Sequence, residues 1–224
     1  MFPLKDTIPS KSLPIVNWWI IVLCLGAFLY ECTLSGTDIE SFLSTYGVVP
    51  VVFLSNIGGQ QISTLFSSMF LHAGWGHVLG NMWFLYIFGD NVEDRMGHVI
   101  YPLFYLFTGL CAAATQILVS PQSNVAMVGA SGAISGVLGA YFVFYPGARV
   151  LSLVPAGLAT RTFEVPAFIF LGFWFLMQLL PGVSSLTLTS NNEVGGVAFW
   201  AHVGGFASGW ILARFFPQPS EPDW

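Results

Sequence analysis

Apolar residues fall in six long blocks along the chain, at about 15–33, 74–90, 98–118, 131–147, 163–181 and 198–216, with polar or Gly- and Pro-containing stretches between them. Each block is long enough, or nearly so, to cross a hydrocarbon core of about 30 Å as a helix, which takes about 17–25 residues. The pattern predicts an all-α polytopic membrane protein, organised as a six-helix membrane domain over 15–216, a short N-terminus over 1–14 and a tail over 217–224. The tail, "PQPSEPDW", is predicted to be disordered. The stretch between the first two blocks, residues 34–73, is apolar and nearly uncharged. Unsatisfied backbone groups are costly in lipid, so this first outer loop is predicted to lie in the outer interface, partly embedded against the helices.

Composition agrees with the blocks. Hydrophobic residues make up 55% of the chain and charged residues 8%, against about 25% charged in ordinary soluble domains. The first block follows Lys5 and Lys11 as a signal peptide would, but no A-x-A-like site comes after it, so it is read as a retained helix. With the N-terminus inside, Lys5, Lys11, Arg95, Arg149, Arg161 and Arg214 all fall on the inner side and none in an outer loop. Both termini are therefore expected to be cytoplasmic, in the plasma (inner) membrane. Cys24, Cys32 and Cys111 have no metal-ligand spacing and are odd in number, which predicts free thiols. No metal, cofactor or nucleic-acid partner is expected; the bilayer is. In "GDNVEDRMGH", Asp90, Glu93, Asp94 and Arg95 read as a solvated cluster or an Arg95–carboxylate pair.

Polar side chains inside spans are costly and usually functional, which singles out His72, His77, Asn81, Ser131, Ser135 and His202. Spans two, four and six all run from outside to inside, so His77, Ser131 and His202 are predicted at one depth, just inside the outer surface, with Asn81 a turn below. His77 and Asn81, four apart, share a helix face. His202, Gly205 and Gly209 share another, as do Ser131, Ser135 and Gly139. Gly132 and Gly136, like Gly205 and Gly209, form small-residue faces that let helix backbones approach closely, which a short serine needs to reach a histidine on another helix. His72, nearest the loop, is predicted to be structural. No carboxylate is predicted beside these groups. Glu193, nine residues before His202, is the one acid that would bend back as a third member, and a Ser-His dyad is the preferred reading. A proton or solute path through a His-rich vestibule, and a catalytically silent scaffold, are the rival classes.

At these residues the chain resembles the rhomboid intramembrane serine proteases. "GASG", residues 129–132, matches the family's G-x-S-G motif, "AHVGGFASG" its A-H-x-x-G-x-x-x-G, and "HAGWGHVLGN" the H-x-x-x-x-H-x-x-x-N of its second helix, in the right order on spans two, four and six. The turn "VEDRMG" is similar as well. The resemblance implies Ser131 as nucleophile, His202 as general base, and His77, Asn81 and the Ser131 N–H as the oxyanion hole. It implies proteolysis of transmembrane protein substrates near the outer face. Two positions depart from the pattern: the first outer loop lacks the Trp-Arg pair of many members, and Ser135 stands where some carry an aromatic that packs on the catalytic histidine.

Overall fold

A computed structural model describes residues 1–156, 159–187 and 198–217. Glu193 and the tail beyond Pro217 lie outside the described residues. The elements in chain order are β1 (Phe2–Asp6), α1 (Ile15–Glu31), α2 (Thr37–Tyr46), α3 (Pro50–Ser55), α4 (Gly59–Ser67), a 3-10 turn (Ser68–Phe70), α5 (Trp75–Met96), α6 (Ile100–Val119), α7 (Ser131–Phe144), β2 (Arg149–Ala156), β3 (Ala159–Pro166), α8 (Ala167–Thr187) and α9 (Phe199–Ala213). Two of these helices among the described residues, α6 and Ala167–Ser184 of α8, are long and apolar enough by themselves to cross a membrane, while α1 and α7 are shorter apolar helices.

The fold is mostly helical but not all-α. β1, β2 and β3 form an antiparallel sheet in that order, with Phe2 opposite Leu153 and Val150 opposite Val165. β2 reads as a half-buried strand: Val150 and Ser152 are fully buried and alternate with more exposed neighbours, as a strand's two-residue period requires. The sequence placed residues 163–166 in the fifth span; the β-branched and aromatic run "ATRTFEVP" instead pairs with β2, and α8 starts only at Ala167.

The stretch between the first two blocks, expected as the first outer loop, carries secondary structure of its own. It folds into α2, α3 and α4, and helices satisfy their backbone groups internally. It is tied to the segment that leads into α7, since Val48 and Met127 exchange backbone hydrogen bonds at 3.0 and 2.8 Å and Val51 N–H donates to the Ser123 carbonyl at 3.2 Å.

Polar groups hold the other end of the bundle. Pro14 supplies no side-chain cap to α1, and the fully buried Glu93 takes that place, accepting the Val16 and Asn17 N–H groups at 3.0 and 2.7 Å. An anion at a helix N-terminus satisfies orphan donors and complements the dipole. Asp94 accepts from Ser12 Oγ at 2.5 Å and Lys11 N at 3.2 Å, and Arg95 Nη2 donates to the Pro217 carbonyl. Residues 90–95, the end of α5, are therefore a partly buried clasp on the start of α1 rather than a solvated cluster, and among the described residues no carboxylate pairs with Arg95. Asp6 of β1 joins it, accepting from Tyr141 at 2.6 Å and Asn91 at 3.0 Å.

The core runs along α5, α7 and α9. Large apolar side chains such as Trp19, Leu79, Leu103, Phe107, Phe173 and Leu180 point outward from α1, α5, α6 and α8, while Asn17, Glu93, Thr108, Gln116 and Ser135 are inside. The three cysteines are free.

Candidate active site

α7 and α9 meet along their glycines. A Cβ on Gly209 would overlap the Gly136 carbonyl oxygen, and one on Gly205 the Gly132 carbonyl oxygen, so only glycine allows this approach. Ser131 is the first residue of α7 and His202 lies in the first turn of α9. The close seam leaves Ser131 Oγ 2.8 Å from His202 Nε2. Gln116 of α6 supports the start of α9 by accepting the Ala201 N–H at 3.2 Å.

The segment before the serine is equally constrained. Gly129 has φ +128°, which L side chains rarely adopt, and its N–H donates to the Ser68 carbonyl at 2.8 Å. A Cβ there would come 2.6 Å from His77 Cε1 and 2.7 Å from His77 Nε2. His77 of α5 is thereby pressed against the backbone just before Ser131. Ala73 N–H donates to His77 Nδ1 at 3.5 Å; this contact assigns Nδ1 as the acceptor and leaves Nε2 as the N–H. Asn81, one turn along α5, is buried, and its Nδ2 has no hydrogen-bond partner among the described residues. The first amides of α7, Ser131 among them, have no intrahelical acceptor and carry the positive end of the helix dipole. A cavity of about 720 Å³ is lined by His77, Asn81, Gly129, Ser131, Gln178 and His202 along with apolar side chains.

Of the residues singled out in the sequence, Ser131, His202, His77, Asn81, Gly129 and Gly132 thus line one cavity. Gly136, Gly205 and Gly209 form the helix seam beneath it. His72 does not line it. It is 1% exposed, its N–H donates to the Glu31 carboxylate at 3.2 Å, its Nδ1 lies 3.2 Å from the Phe70 carbonyl, and its ring meets His77 edge-on at 5.2 Å. Burial, with His77 adding a smaller push, lowers its pKa to about 4, which keeps the ring neutral. Ser135 donates to the Ser131 carbonyl at 2.6 Å and stays off the histidine; the aromatic beside His202 is Trp174 of α8, 6.1 Å between centroids.

Sequence reasoning missed Gln178. Its Oε1 lies 2.8 Å from His202 Nδ1. The signal was present, for Gln178 is the one strongly polar side chain in the apolar run 167–181 and follows Trp174 by four residues, on the same helix face.

The family model of the Rhomboid domain matches residues 59–219. The chain belongs to the rhomboid family. It is an integral membrane protein. Among similar proteins, it is 35% identical over 54% of its length to Rhomboid-like protein 11, chloroplastic, of Arabidopsis thaliana, covering 39% of that protein. It is 30% identical over 70% of its length to RHOMBOID-like protein 1 of the same plant, covering 35%, and 26% identical over 70% to Rhomboid protein 1, mitochondrial, of Saccharomyces cerevisiae, covering 43%. The chain therefore spans less than half the length of these curated relatives. Two of the three are named for chloroplast and mitochondrion, so they lend no support to the plasma (inner) membrane expected from the sequence.

Proposed function

We propose that this rhomboid is an intramembrane serine endopeptidase that cuts transmembrane protein substrates near the outer face of the bilayer. The observation that carries the reading is the 2.8 Å contact between Ser131 Oγ and His202 Nε2 at the wall of a cavity. A serine hydroxyl is a weak nucleophile, and an imidazole nitrogen at hydrogen-bond distance activates it by taking its proton. Ser131 Oγ attacks the scissile carbonyl carbon while its proton passes to His202 Nε2. The resulting oxyanion is met by the Ser131 N–H, His77 Nε2–H and the Asn81 amide, whose lack of a partner in the resting protein suits a donor that acquires one in the transition state. Collapse breaks the C–N bond, His202 returns the proton to the leaving amine, and water, activated in the same way, releases the acyl group from Ser131.

The topology supporting this reading has six spans, α1 and α5 to α9, with both termini on the Lys/Arg side. A 14-residue α7 is about 21 Å long at 1.5 Å per residue, short of a core of about 30 Å. With its C-terminal end at the Lys/Arg side, as this topology has it, its N-terminus lies below the outer surface, where a polar recess would bring water to Ser131.

Purified protein in lipid, given a single-span substrate, tests the reading. Ser131→Ala and His202→Ala are each expected to lower turnover by at least about 10³, since both serve one chemical step, while thermal unfolding stays near that of the parent. Cleavage by Ser131→Ala at a tenth of the parent rate overturns the dyad.

A further inference from the structure

α8 contributes two side chains to the cavity wall, Trp174 and Gln178, one helical turn apart, and both address His202. Trp174 packs beside the ring. Gln178 Oε1 meets Nδ1 at 2.8 Å, and the Gln178 Nε2 end faces the Trp174 carbonyl at 3.5 Å. The second contact decides the amide's orientation, because the NH₂ end is the donor and a carbonyl accepts only. With Nε2 turned to the Trp174 carbonyl, Oε1 is the end presented to the imidazole. Nδ1 facing an oxygen acceptor must carry the ring proton, and Nε2 is then the bare nitrogen that a general base toward Ser131 requires. Free imidazole prefers the opposite tautomer, with the proton on Nε2, and that form cannot accept from a serine hydroxyl.

We propose that Gln178 is the positioning residue of the Ser131–His202 pair, an uncharged third member that fixes the tautomer and ring orientation of His202 from a different helix. This rests on the dyad reading given above. A neutral amide fits the place better than a carboxylate would, because among the described residues no Lys or Arg lines the cavity to offset a buried negative charge in an apolar span. The contact also makes the competence of His202 depend on α8 lying against α9.

Two variants and two measurements test it. Gln178→Met keeps the volume and removes the acceptor; Gln178→Glu restores an oxygen acceptor at the same reach. For Gln178→Met, kcat is expected to fall about 10- to 100-fold with KM within twofold, a milder loss than the roughly 10⁴ seen where the wrong tautomer is enforced. Gln178→Glu is expected to recover at least a third of the lost log rate. Independently of activity, ¹⁵N spectra of labelled histidine in lipid are expected to show His202 protonated on Nδ1 in the parent and shifted toward Nε2 protonation in Gln178→Met. Parent kcat in Gln178→Met, or a parent spectrum with the proton on Nε2, overturns the positioning role while leaving the dyad standing. A parent protein that shows the Nδ1 proton yet cuts no substrate overturns the protease reading instead, and the two failures are told apart by the spectrum.

Discussion

Replacing Gly205 by alanine separates the geometry of the site from the stability of the fold. The added Cβ would stand 3.0 Å from the Gly132 carbonyl carbon and 3.2 Å from Ser135 Cβ, and would overlap the Gly132 carbonyl oxygen. Ordinary carbon contacts lie at about 3.5–4.0 Å and the Gly132 oxygen is the tightest of the three contacts, so α7 and α9 must part locally by about 1 Å or more. Gly132 follows Ser131 directly and His202 lies one turn before Gly205, so most of that opening reaches the 2.8 Å Ser131–His202 contact and takes it to or past the hydrogen-bond limit. Overpacking costs about 1–3 kcal/mol, while Gly to Ala within a helix returns about 1 kcal/mol. The net loss of stability is then about 0–2 kcal/mol, whereas a misplacement of about 1 Å at reacting groups costs about 10² in rate. The expected outcome is a variant that melts close to the parent and turns over about a hundredfold more slowly. Gly26→Ala in α1 is the control: no atom lies within 4 Å of the new Cβ, so a gain of about 0.5–1 kcal/mol and unchanged turnover are expected. The measurements are thermal unfolding in lipid or detergent and initial rates on a single-span substrate. A Gly205→Ala protein with parental kcat would refute the idea that the α7–α9 seam sets the dyad distance.

Three further outcomes are expected. His77→Ala and Asn81→Ala should each lower kcat by about 10²–10³ with little change in KM, because an oxyanion exists only in the transition state; a change in KM alone would make them substrate-docking groups. Asp6→Asn should remove a pH dependence of stability: burial, opposed by the Tyr141 hydrogen bond, raises the Asp6 pKa to about 7, so the folded state holds this proton more tightly than the unfolded chain does. This group alone should therefore make parent stability decline between about pH 4 and 7, by at most about 1.4 kcal/mol per pH unit, and the Asn variant should show a correspondingly shallower decline in unfolding scans; identical slopes would place Asp6 in water. In a substrate helix, replacing Gly or Pro near the cut by Leu adds about 1–3 kcal/mol of helix propensity and should slow cleavage mainly through kcat; mass-spectrometric product ends at the cytoplasmic end would overturn the topology.

Much of this site was legible in the chain because a bilayer penalises polar groups wherever they lie, so Ser131, His202, His77 and Asn81 stood out as exceptions inside apolar blocks. Helical spacing then put each on a face, the expected alternation of span direction put them at one depth, and the structure brings them to the wall of one cavity. The strands were not legible, since residues 163–166 run directly into the apolar block that follows and only pairing with β2 makes them a strand. Glu93 read as a surface charge because nothing local shows that α1 begins at Pro14 without a cap of its own and takes one from the end of α5. Gln178 went unseen for the same reason: a lone amide on α8 has no sequence partner, and its meaning comes from His202, twenty-four positions away, being turned toward it. Periodicity and solvation act along one helix and can be read from its residues. Partners across helices are set by the closeness of backbones, here by glycines on α7 and α9, and that distance belongs to the tertiary structure alone.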